Sequence, residues 1–220
     1  MKTLKGDARS LLVGVTGGIA TGKSVVASML EELGAPMIDF DLLARRVVEP
    51  DNAAWRDIVE FFGEQVLQED RTLDRKKVAD IVFGNPEKRR MLEGFTHPRI
   101  REQFVAEVHE IRQTAPDAII QAVIPLLIES NLQSIFDHVV VVYSPVEVQM
   151  ARLIQRDGLT REAAEARLQA QMPIDDKARH ADTVIDNSGS LEETSRQVEE
   201  LWQRLCELRA GKLTDHPQTR

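Results

Sequence analysis

The chain has 220 residues, enough for one core domain with a substantial insertion and short for two domains of ordinary size. Hydrophobic residues make up 42% and charged residues 29%, a globular mixture that excludes a wholly disordered chain. The net charge of −8 argues against broad, sequence-independent binding to nucleic acid, and the single cysteine, Cys206, excludes an intramolecular disulfide and any multi-cysteine metal cluster.

One thiol fits a reducing compartment, and the expected location is cytoplasmic. No apolar run approaches the roughly 20 residues that span a bilayer. The run Leu11-Leu12-Val13 stops at a glycine, so it is no secretory signal core. No membrane association and no nucleic-acid partner are expected. The acidic surface fits a monomer or a weak homo-oligomer.

Residues 1–10 are polar and read as a loose N-terminal extension. Leu11 to Thr16 reads as a short buried strand. A glycine-rich stretch follows, and then Val25, Val26, Met29, Leu30 and Leu33 fall on one helical face that Gly34 ends. Pro36 to Asp39 is a second strand. Segments at 41–49, 53–62, 75–83 and 87–113 read helical, with Asp74 and Asn85 as N-caps and Pro86 at a first helical position. Ile100, Phe104, Val105, Val108 and Ile111 form the apolar stripe of the long helix. No strand interrupts residues 41–115, which are read as a helical insertion.

Ala118–Ile124 and Val139–Tyr143 are near-continuous apolar runs, as parallel strands covered on both faces require. Ser144 to Glu147 and Ser190 to Glu193 carry the capping-box pattern. Residues 152–179 are basic with no strong apolar stripe and read as a mobile segment. Thr183–Ile185 is a last short strand, and the final helix runs to about 209. Residues 210–220 read as a polar, disordered tail. Alternating strands and helices imply an α/β fold with a five-stranded parallel sheet and right-handed crossovers. Its core would comprise 11–40 and 116–209.

The strongest motif is Gly17-Gly18-Ile19-Ala20-Thr21-Gly22-Lys23-Ser24, which matches G-x-x-x-x-G-K-[ST] between a strand and a helix. Glycines let successive amides point into one concavity, and the helix N-terminus adds a positive field. Lys23 can reach the β- and γ-phosphates of a nucleotide, and the Ser24 hydroxyl can ligate Mg²⁺. The core is therefore of the P-loop nucleoside-triphosphate hydrolase type, with a nucleoside triphosphate, ATP or GTP, and Mg²⁺ expected. No N-K-x-D guanine-reading motif is present.

Asp39 and Asp41 follow the second strand. If the chain stays extended there, both project to one side, at the crevice where ligands bind an open sheet. One of the two is equally suited to cap the next helix. Asp41 is assigned as the base that takes the acceptor proton, and Asp39 as metal-water or structural support. Arg152 and Arg156 are one helical turn apart, with Arg161, Arg167, Lys177 and Arg179 following. After a phosphate loop, this stretch reads as a basic lid over about 152–180 rather than a solvated face.

The histidines (97, 109, 138, 180 and 216) show no metal-ligand spacing, so no structural metal is expected. His97 alone fits a hydrogen-bonded scaffold role. Arg99 and Arg101 suit either an anionic acceptor or plain exposure. Glu129 is a helix cap or a crevice residue, and Cys206 a small core residue. The third strand carries no aspartate of the Walker-B kind, which leaves metal support to Ser24, the Asp39/Asp41 pair or Glu129.

Together, Gly14 to Ile19, Asp39-Phe40-Asp41, Ala44-Arg45 and Val47 to Pro50 resemble the dephospho-coenzyme A kinase family. So do Leu73-Asp74-Arg75, Thr96 to Arg101, Pro125 to Glu129, Arg156-Asp157-Gly158 and Asp186 to Gly189. The resemblance spans about residues 11–205 in order. It implies ATP-dependent phosphorylation of the 3′-hydroxyl of dephospho-CoA, the last step of coenzyme A biosynthesis. It implies that 41–115 binds dephospho-CoA, with Asp41 as base and His97, Arg99, Arg101 and Leu126 on the acceptor side. Gly17 to Val25 would hold the phosphates, Arg152 and the Asn187 loop would lie around the adenine, and Arg156 near the transferring phosphate. Ala20, Thr21 and Val25 stand where the family usually has glycine, serine and threonine. Ala20 must then take a glycine-type backbone. Phe40 replaces a small residue, and Ile128 an aromatic one.

Overall fold

A computed structural model describes Leu4 and residues 9–215 of the chain. The chain divides into two compact units, one formed by residues up to Ile38 and from His109 onward, the other by Asp39–Val108.

The first unit is built on strand β1, Leu11–Gly17, in which every residue is buried. That burial explains its unbroken apolar sequence, since β1 lies at the centre of the sheet. β2 (Met37–Asp39), β3 (Ile119–Val123), β4 (His138–Tyr143) and β5 (Thr183–Asp186) complete the order β2-β3-β1-β4-β5. The pairings β1–β3, β1–β4 and β4–β5 are parallel, with Val15 opposite both Val123 and Val140. Helix α1 (Lys23–Glu32) buries Val26, Ala27 and Leu30 in the main core beside Val13, Val140 and Ile185. Val25 and Leu33, expected on that face, are instead exposed. At a 100° step Val25 lies on the face opposite Ala27, and Leu33 is the C-cap just past the helix end.

The second unit contains α2 (Phe40–Arg46), α3 (Ala53–Phe62), α4 (Arg75–Val82) and most of α5 (Pro86–Thr114). Its own core gathers Val47, Trp55, Ile58, Phe62, Val66, Leu73 and Val78. Asp74 caps α4 by accepting from Lys77 N at 3.1 Å, and Asn85 Oδ1 accepts from Lys88 N at 3.0 Å. Along α5, Phe104 and Val108 are buried but Val105 is exposed.

Four expectations need correction. The segment after Arg152, read as lacking a strong apolar stripe, is built of α6 (Val146–Asp157), α7 (Arg161–Gln169) and α8 (Ile174–Ala178). Thr160 caps α7 through Ala163 N, and buried Leu153, Ala164 and Ile174 hold these helices. Ser144 does not form a capping box, because Pro145 is the N-cap of α6 and the serine hydroxyl bonds elsewhere. The last helix, α9 (Leu191–Asp215), runs past Gly211, so the tail is helical to Asp215; residues 216–220 lie outside the described residues. Lys212 secures that end through Asp137 at 2.7 Å and Ser10 O at 3.4 Å. Finally, Leu4 and Ser10 are buried, and Arg112 donates to Leu4 O at 2.9 Å and Ser10 Oγ at 2.7 Å. Residues 1–3 and 5–8 of the expected loose extension lie outside the described residues.

His138 opens β4 with its ring buried and Nε2 2.9 Å from Thr183 Oγ1. Burial holds its pKa below the ordinary 6.5, against the opposing pull of Asp182. The unfolded chain then binds the proton more readily than the folded one. Stability from this residue is complete above the unfolded pKa and is lost as pH falls through that window towards the lowered folded value. Urea unfolding between about pH 7 and pH 5 should show stability declining, with a smaller decline in His138→Gln.

Candidate active site

Gly17 closes β1 and Lys23 opens α1, so the phosphate loop spans the strand end and the helix start. Ala20 has φ 60 and Gly22 φ 86, both left-handed. Ala20 thus takes the glycine-type backbone that its position demands, an unusual conformation for a residue with a Cβ. Gly22 is restricted twice, because a Cβ there would also collide with Asn187 Nδ2. Thr21 is fully buried and its hydroxyl donates to Gly18 O at 3.0 Å, closing the loop on itself.

The back of the loop is held by a buried polar network. Thr21 O accepts from Asn187 Nδ2 at 2.8 Å, with Ser144 Oγ at 3.4 Å and Arg152 Nη1 at 3.5 Å. Asn187 is itself fixed: its N donates to Tyr143 O at 2.8 Å and its Oδ1 accepts from Thr194 Oγ1 at 2.9 Å. Asn187 O accepts from Arg152 Nη2 at 2.7 Å and Ser144 Oγ at 3.1 Å. Gln149 Nε2 donates to Ser144 O at 2.8 Å. Arg152 and Asn187, expected together, are together, and Ser144, Gln149 and Thr194 join them. With its back so held, the loop keeps its amides in place at the helix N-terminus, the arrangement that receives phosphate.

A second anchor lies at the ends of β1 and β3. Lys177 is completely buried, and its Nζ reaches Glu129 Oε1 at 2.9 Å, Pro125 O at 3.0 Å and Gly17 O at 3.4 Å. Glu129 Oε2 is buried without a hydrogen-bond partner. Sequence reasoning missed Lys177 and counted it among the lid cations. The available signal was Ile174 three residues earlier, which puts both on one helical face. Ile19 N donates to Gln171 Oε1 at 3.0 Å, a contact no local pattern announces.

Arg156, in the last turn of α6, is exposed and donates from Nε to Asp157 Oδ1 at 2.8 Å. Arg167 meets the other oxygen of Asp157 at 2.7 Å. The hydrogen bond from Arg156, more than its charge, holds the Asp157 carboxyl below its usual pKa. Ser24 and Val25 are exposed in the first turn of α1, and Leu126 is exposed in the turn after β3.

In the second unit, Asp39 caps α2 by accepting Asp41 N at 2.8 Å. The chain has therefore left the strand by Phe40, and the premise of an extended Asp39–Asp41 pair is corrected. Asp41 is an exposed carboxylate in the first helical turn. Phe40 packs on Phe104 at 5.0 Å between ring centroids, which accounts for its bulk. Arg99 binds Phe95 O at 2.6 Å and Asp57 at 2.7 Å, and lines a cavity of about 400 Å³ with Asn52, Glu102 and Gln103. His97 and Arg101 are exposed on α5. A cavity of about 480 Å³ is lined by Arg45, Glu49, Gln68, Asp74, Arg75 and Lys76, among others.

A family model described as dephospho-CoA kinase matches residues 11–193. A dephospho-CoA kinase of Geobacter metallireducens is 50% identical over 90% of this chain and 98% of that protein. A Thermus thermophilus crystal structure superposes with a TM-score of 0.78 at 34% identity, covering 89% of this chain and 98% of that one. Dephospho-CoA kinase from Campylobacter jejuni superposes with a TM-score of 0.68 at 30% identity, covering 90% and 98%.

Removing one partner of a buried ion pair strands the other. Lys177→Met should cost about 3 kcal/mol in urea unfolding, and adding Glu129→Gln should return part of it.

Proposed function

The chain belongs to the dephospho-CoA kinase family, whose members use ATP in the last step of coenzyme A biosynthesis, and from that premise we propose how its own residues carry the reaction. The observation that carries this reading is the phosphate loop from Gly17 to Ser24, braced from behind by Asn187, Ser144 and Arg152.

The amides from Gly17, Gly18, Ile19, Ala20, Thr21 and Gly22 through Val25 cradle the phosphates of ATP. Lys23 spans the β- and γ-phosphates. Arg156 covers charge on the transferring phosphoryl group, and its link to Asp157 and Arg167 supports a basic lid at about 152–180. Arg152 and the Asn187 loop border the adenine. The reacting 3′-hydroxyl of dephospho-CoA gives its proton to Asp41 as its oxygen bonds to phosphorus and the bond to ADP breaks. Phosphoryl transfer through a loose transition state asks for positioning more than basicity, so what Asp41 must supply is placement. Residues 41–115 bind the acceptor, with His97, Arg99, Arg101 and Leu126 on its side. The protein works in the cytoplasm as a monomer or weak homo-oligomer.

Among the described residues, no three His, Cys, Asp or Glu side chains converge on a metal position. That fits Mg²⁺, which keeps several waters and takes few protein ligands besides substrate phosphates. The hard oxygen of Ser24, exposed at the start of α1, is a suitable donor, and Asp39 can act through water. When bound, Mg²⁺ neutralises charge on the β- and γ-phosphate oxygens.

ADP release from Mg·ATP should be strongly stimulated by dephospho-CoA, with a new 3′-phosphate found by mass analysis. Asp41→Asn should lower kcat by about 10²-fold or more while ATP binding survives. Near-full turnover in that variant would remove Asp41 from the role of base.

A further inference from the structure

The segment between α7 and α8 reaches the phosphate loop through Gln171, whose side chain accepts Ile19 N–H at 3.0 Å. A backbone amide only donates, so the carboxamide atom facing it is the oxygen, and the orientation of the group is fixed. Nε2, with two donors, shares a carbon with that oxygen and therefore lies within about 5 Å of the Ile19 nitrogen. No protein acceptor holds those donors among the described residues.

The contact is not a chance touch by a free loop. The neighbouring Met172 N donates to Glu129 Oε1 at 3.4 Å, the same oxygen that binds the buried Lys177 at 2.9 Å. The segment and the helix α8 that follows it are thus tied to one carboxylate. Lys177 in turn holds Gly17 O, where the phosphate loop begins. Gln171 is preorganised against the loop in the way a group acting on a transition state must be.

Its position along the loop selects its target. The backbone of a phosphate loop and its lysine, here Lys23, together cradle the β- and γ-phosphates. Ile19 stands four residues before Lys23 in that same loop, on its strand side, so Gln171 borders the part of the loop that cradles those two phosphates. We propose that Gln171 is a further catalytic residue, whose Nε2 donates to a non-bridging oxygen of the terminal phosphoryl group of ATP with the Ile19 amide as its pivot. The inference rests on the kinase reading above. Gln171 gains and loses no proton. The bond from phosphorus to ADP breaks, the bond to the acceptor oxygen forms, and the hydrogen bond strengthens as charge spreads over the equatorial oxygens.

Two substitutions separate the donor from its pivot. Gln171→Ala removes both, whereas Gln171→Glu keeps an oxygen for Ile19 N–H and loses the donor. Calorimetric titration with Mg·ATP and Mg·ADP, together with kcat at saturating dephospho-CoA, reads the outcome. Gln171→Ala should weaken ATP at least about fivefold more than ADP and lower kcat by about 10²-fold, and Gln171→Glu should rescue neither. Equal weakening of the two nucleotides with unchanged kcat would overturn the proposal. So would a Gln171→Glu variant restored to within about threefold of the parent kcat. Failure of the kinase reading itself would register separately, as turnover of the unsubstituted chain that dephospho-CoA does not stimulate. The ATP-to-ADP ratio of the variants would still decide Gln171.

Discussion

The carbonyl of Thr21 is the point from which the nucleotide end of this protein is organised. It points into a buried space where an unmade hydrogen bond would be costly. Asn187, Ser144 and Arg152 all donate to it. Because those donors come from the ends of β4 and β5 and from α6, the loop's curvature is set by the sheet and not by the loop alone. The left-handed Gly22 follows from the same constraint, since Asn187 occupies the space a side chain would need.

Two anchors then divide the loop between them. The Asn187 network holds its helix side. Lys177, fully buried, holds its strand side through Gly17 O and joins it to β3 through Pro125 O. A buried ammonium costs desolvation that its partners only partly return, so its presence is a poor argument for stability as such. It is better understood as a device for registry, setting two strand ends and α8 at fixed separation. The family of small-molecule kinases needs such rigidity because the chemistry consists largely of placing charge correctly around a transferring phosphoryl group.

Legibility in the sequence followed the range of the interaction. β1, the phosphate loop and α1 were readable because a buried run, a glycine motif and a helical stripe stand next to one another. Asp74 and Ser190 were readable as caps because their partners lie three residues away. Ser144 carries the same serine-to-glutamate spacing as Ser190 and does something else. Ser190 is exposed, so the helix amides are its best partners. Ser144 is fully buried, and two carbonyls from residues 43 and 123 positions away compete for its hydroxyl and win. The partners of Lys177 and Gln171 were illegible for the same reason, being brought to them only by the completed sheet, although Ile174 marked the face on which Lys177 is buried. The helical tail was underestimated because one glycine and several charges read as a stop, while Lys212 finds its tertiary partner in Asp137.

The phosphate loop is shaped from behind. Thr194→Val tests this most directly, since Thr194 braces the Asn187 carboxamide through Oγ1 at 2.9 Å and belongs to no element assigned to nucleotide contact. Mg·ATP affinity of this variant, measured by calorimetry on protein shown to be folded, should fall about tenfold, the scale of one lost buried hydrogen bond. Affinity equal to that of the parent chain would contradict the account and would mean that the loop keeps its shape without the network behind it.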